Sequence, residues 1–512
     1  MPVSTQLSDD SQFTDRSIWN IVLSCLATIF ASTWIAVHPN IPAPNESAVR
    51  VFGRRLAIMF YLLIVPEMVI VWTARQYLAA SDIAKRHKGM WYVSLWFDTH
   101  STDGLNSIIA KGWTKTQAFF LVMGGFSLYQ DGVLLRTLEA REMEKLEEEG
   151  KIEWPTITEA EIKDKSNGDF FSKGVVVMQT TWFIIQCIAR GSKRLVLTDL
   201  EVVTLAFAAL TMVIYGLWWH KPLDVQVSAP VRLKKGCSAD PDPKLEDEKR
   251  KTISPPVAPA GEDDDNPQTS LLGSKTLVAL DVDVEAQERS KRSQLTSPEP
   301  VRDPPVSRPH HEPSLSLPQQ FRVYLRAQRE EFGLIGSIIY VFMIHPALMF
   351  SGAFVDMASC TTLEGKRYRV PTFYAPAVGD NDDVKCFMLA MLVATVFGGI
   401  HCIAWSFEFP TVTEKWTWRV SAVWVAGLPL GIFFYYGLTG LIIKIASYWD
   451  GKEDSSVLKN SLRTIFSVIS FLLILSYIAA RGVLLILPLI GLRALPAGAY
   501  IDINWTAYLP HV

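Results

Sequence analysis

A large excess of either charge is missing from this chain. Its 512 residues hold 49 lysines and arginines against 52 acidic residues, a net charge of −3. No basic excess is there to neutralise phosphates, so no nucleic-acid partner is expected. Cysteine is sparse: six residues, none in a CxxC pair or another metal-ligand spacing, which argues against a zinc site or a disulfide scaffold. Cys25, Cys187 and Cys402 sit in apolar runs, where cysteine packs as a small core residue. Cys360 and Cys386 flank one loop and can pair if that loop lies outside the cytosol. Phosphate-loop, GxSxG, HExxH, HxxxH and dinucleotide-binding glycine patterns are all absent, which leaves no catalytic residue to assign and no metal or other cofactor to predict. The His310-His311 pair falls in a polar, proline-rich stretch and is weak evidence for metal.

What the chain does have is segregation. Hydrophobic residues make up 49% and charged residues 20%, but the charge is concentrated in a few stretches. A bilayer-spanning helix needs about 20 mostly apolar residues, because the hydrocarbon is about 30 Å thick and each residue rises about 1.5 Å. Stretches of that kind are Ile18–Val37, Leu56–Ala74, Gly174–Ala189, Val202–Trp219, Leu334–Gly352, Cys386–Ser406, Val420–Tyr436 and Ile465–Leu487. The predicted fold class is therefore all-α: a polytopic transmembrane bundle of about eight spans, with the lipid bilayer as its main partner. The first run is too long for a signal peptide. Acidic Asp9, Asp10 and Asp15 precede it and no small-residue cleavage site follows, so it is read as a retained span. The third includes Gln179 and Gln186 and is expected to face other helices.

Three regions complete the organisation: an N-terminal membrane half (1–225), a disordered linker (226–318) and a C-terminal membrane half (319–512). In the first half, Asp131–Glu149 reads as a charged helix ended by Gly150, and Thr158 with Glu161 fits a capping box. Gly112–Tyr129 is apolar but short, which favours an interfacial or re-entrant helix over a ninth crossing. The linker, rich in proline, serine and charge, buries too little apolar area to offset its ordering entropy. Ser254 and Ser297, each followed by proline, are candidate phosphorylation sites there, and the linker is a candidate docking segment for other proteins. Asn45 and Asn504 begin N-glycosylation sequons.

Two rules for orientation conflict. The charge contrast around the first span, acidic before it and Arg50, Arg54 and Arg55 after it, puts the N-terminus outside. A cytosolic linker flanked by Lys221, Arg232, Lys234 and Lys235 puts it inside if there are eight crossings.

Ionisable groups inside apolar spans are the best functional leads. Each raises the insertion free energy by about 2.5–3.5 kcal/mol at a helix centre, so something usually offsets it. Glu67 follows Pro66 in the second span; a kink beside a carboxylate suits an ion or proton site, and the bland alternative is a structural pairing with an arginine. His345, before Pro346, and His401 suit a proton relay, a haem ligand or a general base, although a buried neutral histidine bonded to a carbonyl is the commoner arrangement. Arg481 interrupts the last span and must pair or snorkel, with Glu67 as one candidate partner. Arg75 and Lys444, nearer span ends, are expected to snorkel. Trp218, Trp219 and His220-Lys221-Pro222 read first as an interface anchor.

Several long strings carry a resemblance: SCLATIFASTWIAVHPNIPAPNE (24–46), WTARQYLAA after the Pro-Glu of the second span, GWTKTQAFFLVMGGF (112–126), ITEAEIKDKSNGD (157–169), YGLWWHKPLDV (215–225), HCIAWSFEFPT (401–411) and LPAGAYIDINWTAYLPH (495–511). Together they resemble a family of uncharacterised polytopic integral membrane proteins of fungi. The resemblance implies a multi-pass protein of the plasma membrane or an endomembrane and gives no residue a role. Transport or small-molecule sensing through the bundle is the first functional expectation. A lipid-modifying membrane enzyme using His401 as base, and a membrane scaffold or signalling anchor acting through the linker, are the alternatives.

Overall fold

The computed structural model describes residues 13–97, 113–166, 169–237, 345–359, 367–449 and 455–505. Residues 1–239 and 348–512 make one compact unit and 240–347 a second, in which only residues 345–347 are described. The predicted phosphorylation sites Ser254 and Ser297, Cys360 and most of the predicted fifth span lie outside the described residues.

The described chain is mostly helical. Strand β1 (Phe13–Asp15) leads into α1 (Ile18–Phe30), which continues as a π turn over Ala31–Ile35. Next come α2 (Ala48–Ile64) and α3 (Pro66–Phe97). A small mixed layer follows: α4 (Lys115–Val122), β2 (Phe126–Gln130), β3 (Val133–Thr137), α5 (Ala140–Glu148) and α6 (Glu159–Asp164). Helices α7 (Asp169–Ser192) and α8 (Asp199–Trp218) precede β4 (Ala229–Arg232). The rest is α9 (His345–Ala358), α10 (Asp380–His401, extended by a 3₁₀ turn to Ser406), α11 (Val412–Trp449), α12 (Ser455–Gly491) and β5 (Ile501–Ile503).

Six described helical stretches are long and apolar enough to cross a bilayer: Ile18–Ile35, Phe171–Ser192, Asp199–Trp218, Asn381–Ser406, Val412–Ile442 and Thr464–Ala494. The expected second span is not one straight helix. Its chain breaks between Ile64 and Pro66 and bends by 116°. The reason is local: proline pushes the preceding residue out of the helical region, and Val65 sits at φ −140°, ψ 58°.

Contacts sort the helix ends into two groups. At the terminal end, β1 pairs antiparallel with β5, with Phe13 opposite Ile503. There Arg16 donates to the Ala499 carbonyl and forms a buried ion pair with Glu201 at 2.6 Å. Arg190 donates to the Ile501 carbonyl, and Arg493 pairs with Glu414. At the opposite, linker end, Lys173 donates to the carbonyls of Trp219 and Lys221, and Arg75 pairs with Asp383 at 3.1 Å. Both limbs of the broken pair belong to this end: Arg55 of α2 meets Asp224 at 3.2 Å, and Gln76 of α3 meets Lys221. The α2–α3 pair thus enters the bundle from the linker end and returns to it. Between α10 and α11 the backbones touch: a Cβ on Gly398 would lie 2.4 Å from Ala426 backbone atoms, so only glycine fits there.

The small layer corrects the all-α expectation. Residues 131–137 of the predicted charged helix form a turn and β3, and only Ala140–Glu148 is helical. Asp131 and Gly132 both take positive φ, 49° and 85°, the geometry of a two-residue hairpin turn. In place of one interfacial or re-entrant helix, Gly112–Tyr129 contains α4 and β2. Strand β4, inside the predicted linker, adds parallel to β2 with Leu128 opposite Val231. Thr158 and Glu161 do form the expected capping box, and Thr114 with Gln117 and Thr198 with Glu201 form two more.

Candidate functional site

The break at Pro66 is the chemically unusual point of the bundle. Proline has no N–H to give the preceding turn, and the chain bends away, so the last carbonyls of α2 lose their helical donors. Arg481 of α12 supplies the replacement. Its Nε donates to the Ile64 carbonyl and its Nη2 to the Leu63 carbonyl, each at 3.3 Å. Its guanidinium also lies over the Phe397 ring, 4.0 Å from the centroid. A cation at a helix C-terminus is favoured by the helix dipole as well as by these bonds. Arg481 therefore neither snorkels nor forms a direct ion pair: no Glu67–Arg481 contact within 4.0 Å occurs, although the two are electrostatic neighbours.

Glu67 stands in the first turn of α3, where the helix dipole favours a carboxylate. Its Oε2 is buried without a well-formed hydrogen bond, and so is the Tyr477 hydroxyl, which stands beside it as a potential donor. Both groups line a cavity of about 550 Å³. Pro429 of α11 and Ser470 of α12 are also on its wall.

His401 is placed one ring away. Its Nδ1 donates to the Phe397 carbonyl at 2.8 Å, and its ring packs on Phe397 at 4.9 Å, with Phe397 in contact with Arg481. Trp418 Nε1 donates to the His401 carbonyl at 3.1 Å. His401 does not line the cavity at Glu67. His345 opens α9 and belongs to the second compact unit, and its side chain lies outside the described residues. Asn45 is an exposed loop residue with φ 63° at the linker end. Cys386 is buried. Gln179 faces α1, donating to Thr28 Oγ1 at 3.0 Å. Arg75, expected to snorkel, is instead buried against Asp383 and the Met357 carbonyl, because acceptors stand within reach of its guanidinium.

A second polar cluster was not expected from the sequence. Lys221 is fully buried. Its Nζ lies 4.3 Å from the Trp218 ring centroid and 5.0 Å from that of Trp72. It donates to Gln76 Oε1 at 2.9 Å and to Asn40 Oδ1 at 3.3 Å. Gln76 in turn donates to Asn40 Oδ1 and to the Tyr374 carbonyl, which also accepts from Trp72 Nε1. Asn40 donates to the Pro371 carbonyl. Burial without a compensating carboxylate pushes the Lys221 amine well below its ordinary value. Burial, and then the neighbouring Lys173 and Lys221, push His38 down likewise. The interface-anchor expectation therefore fails for Lys221: its charge end faces inward, tying the α1–α2 loop, α3, α8 and the loop before α10 together. Asparagine in NIP (40–42) and glutamine in ARQYL (74–78) were the only polar signals, and each is ordinary by itself.

A further cavity of about 610 Å³ lies at the terminal end, with Asp199 and Glu408 on its wall. Among the described residues no group of three His, Cys, Asp or Glu side chains is arranged to hold a metal.

No curated protein and no solved structure matches this chain. One family model does, over residues 4–238 and 378–512, which takes in the Pro66 break, Arg481, His401 and the Lys221 cluster. That match spans well over half of the sequence, and the chain belongs to DUF8562, a family of unknown function.

Proposed function

We propose that this is a multi-pass membrane protein whose bundle binds a small molecule at the Pro66 break, for sensing or transport. The observation that carries the reading is Glu67: a carboxylate oxygen buried without a well-formed hydrogen bond, facing a cavity, at a helix break whose freed carbonyls are held by Arg481. Broken helices that offer half-helix termini at mid-depth are a recurring way to build binding sites in bundles surrounded by lipid. Intramembrane ionisable residues are seldom there for packing. The cavity volume falls within the range of about 300–1,000 Å³ common for small-molecule sites.

Support for the membrane itself comes from the outer surface. Trp19, Phe171, Met178, Val420, Phe434 and Phe471 are all well exposed on the apolar helices, a surface that water would not tolerate at this extent. Orientation also becomes consistent. With the six described candidate spans crossing and an α2–α3 pair that returns to its own end, Arg50, Arg54 and Arg55 share an end with Lys234 and Lys235 at the start of the linker. Both charge rules then place the linker end in the cytosol and both termini outside. Tags at the two ends of this chain are expected to be protected or digested together in sealed vesicles, and Asn504, not Asn45, to be the sequon open to glycosylation. Opposite sidedness of the two tags would sink this topology.

The site reading is tested by complementation. Glu67→Gln is expected to reach the membrane in normal amount, resist alkaline extraction as the wild type does, and fail to restore a deletion strain. Full rescue by Glu67→Gln at normal abundance refutes a functional role for the break.

A further inference from the structure

The chemistry of the cavity narrows what it takes. Apart from Glu67, Ser470 and the hydroxyls of Tyr435, Tyr436 and Tyr477, its wall is almost wholly apolar; Ser470 and Tyr435 already donate to the Phe466 carbonyl, and Tyr436 to Ser470. Val355, Phe387, Tyr436 and Ile474 on the wall are exposed at the outer surface of the bundle. In the membrane reading proposed above that flank faces acyl chains, which gives the cavity a lateral opening toward lipid. A ligand entering there is dissolved in the membrane and carries a large apolar body.

The head group follows from the atoms waiting for it. Glu67 Oε2 has no well-formed hydrogen bond, and the Tyr477 hydroxyl beside it can give or take one bond, so a guest between them can bond to both. A hydroxyl satisfies both, donating to the carboxylate and accepting from the phenol. An ammonium could donate to both, but it would bring a second cation near Arg481. Electrostatics point the same way. Arg481 stands behind the break as a permanent cation. With Glu67 ionised the site is neutral overall, and with Glu67 protonated it is positive; neither state attracts a second cation. An anionic head would be repelled by the Glu67 carboxylate whenever Glu67 is ionised.

We propose that the cavity is a lateral binding site for a neutral, membrane-dissolved alcohol: one hydroxyl on a long or rigid apolar body, whether a free fatty alcohol or a sterol. This assignment rests on the small-molecule reading of the Pro66 break. It differs from that reading in naming the head group and the route of entry.

The test uses the full chain in detergent micelles and a hexadecanol analogue bearing a diazirine on its chain. Photolabelled peptides are expected to come from α3, α11 and α12 around Met68, Ile432 and Tyr477. Unlabelled 1-hexadecanol is expected to compete at least tenfold better than hexadecane, because only the alcohol bonds to Glu67 and Tyr477. Hexadecylamine and palmitate are expected to compete no better than hexadecane. Ala394→Trp, which fills the cavity, should abolish specific labelling while leaving the thermal transition in place. Cholesterol competing as well as hexadecanol identifies a sterol-sized body, and hexadecanol alone identifies a single chain; either supports the site. Equal competition by hexadecane overturns it, as does stronger competition by the amine, or labelling that Ala394→Trp leaves unchanged. Those failures leave the complementation result for Glu67→Gln standing, so an error in the head group is separable from an error about the site.

Discussion

Arg481→Leu is expected to remove most of the folded protein, at a stability loss of about 3–5 kcal/mol. Leucine keeps much of the volume over Phe397 but supplies no donor. The Leu63 and Ile64 carbonyls then lose their bonds to the guanidinium, and Glu67 loses the favourable field of the Arg481 cation. Adding Glu67→Gln to Arg481→Leu should recover part of the loss, since the neutral amide needs no counter-charge. A coupling of at least about 1 kcal/mol between the two positions is expected, as for groups that share one network. Arg481→Lys should fall between, because a single ammonium cannot bridge two carbonyls as the planar fork does. Thermal unfolding of the four proteins in one detergent, followed by tryptophan fluorescence, gives the cycle. Strict additivity would mean that Glu67 and Arg481 are independent, and that the break is held by the carbonyl bonds alone.

The second large effect lies at Lys221. Lys221→Ala is expected to destabilise by about 3 kcal/mol or more, adding a cavity between Trp72 and Trp218 to the loss of two bonds. Lys221→Met fills the space and should be milder, about 1–3 kcal/mol, the usual range for stranding buried acceptors. The sign of the pH dependence is fixed by burial. The folded-state amine has its pKa below the ordinary 10.5, so the unfolded chain binds the extra proton. The stability contribution of this group is complete above 10.5 and is lost progressively as the pH falls toward the folded-state pKa. Wild type should therefore gain stability from neutral to alkaline pH relative to Lys221→Met. An identical pH profile for the two would show that the amine stays charged in its cage, held by the two indoles and two amide oxygens.

How far the molecule could be read in advance depends on the kind of signal. The apolar runs at 18–37, 202–219, 386–406 and 465–487 became long helices because uninterrupted apolar sequence leaves the backbone no partner but itself. The capping box at Thr158 spans four residues, to Glu161, and forms as expected. The hairpin at Asp131-Gly132 had a local signal too, but the run LLRTLEAREMEKLEEE after it favours helix by propensity, and the pairing of β2 with β4, about a hundred residues later, is invisible to any short window. Pro66 marked a kink in the sequence; it did not tell a kink from a reversal. Proline breaks the helix locally, but that both limbs belong to one end shows only in the linker-end contacts of Arg55 and Gln76.

The candidate site divides along the same line. Glu67, His401 and Arg481 stood out because charge within an apolar run is costly wherever it sits. That Arg481 caps α2 instead of pairing with Glu67, that Phe397 lies between it and His401, and that Glu67 is left facing a cavity all depend on three helices meeting. Lys221 shows the reverse case. It follows two tryptophans at a helix end, a pattern shared by many interface anchors, and only Gln76 and Asn40, from distant parts of the chain, turn it inward.

The sequence alone settled the long apolar helices at 18–37, 202–219, 386–406 and 465–487, because hydrophobicity and backbone hydrogen bonding act within a single segment. Tertiary structure alone decided which of them return to the end they entered from, which charges meet, and where an acceptor is left open, because each of those depends on atoms brought together from far apart in the chain.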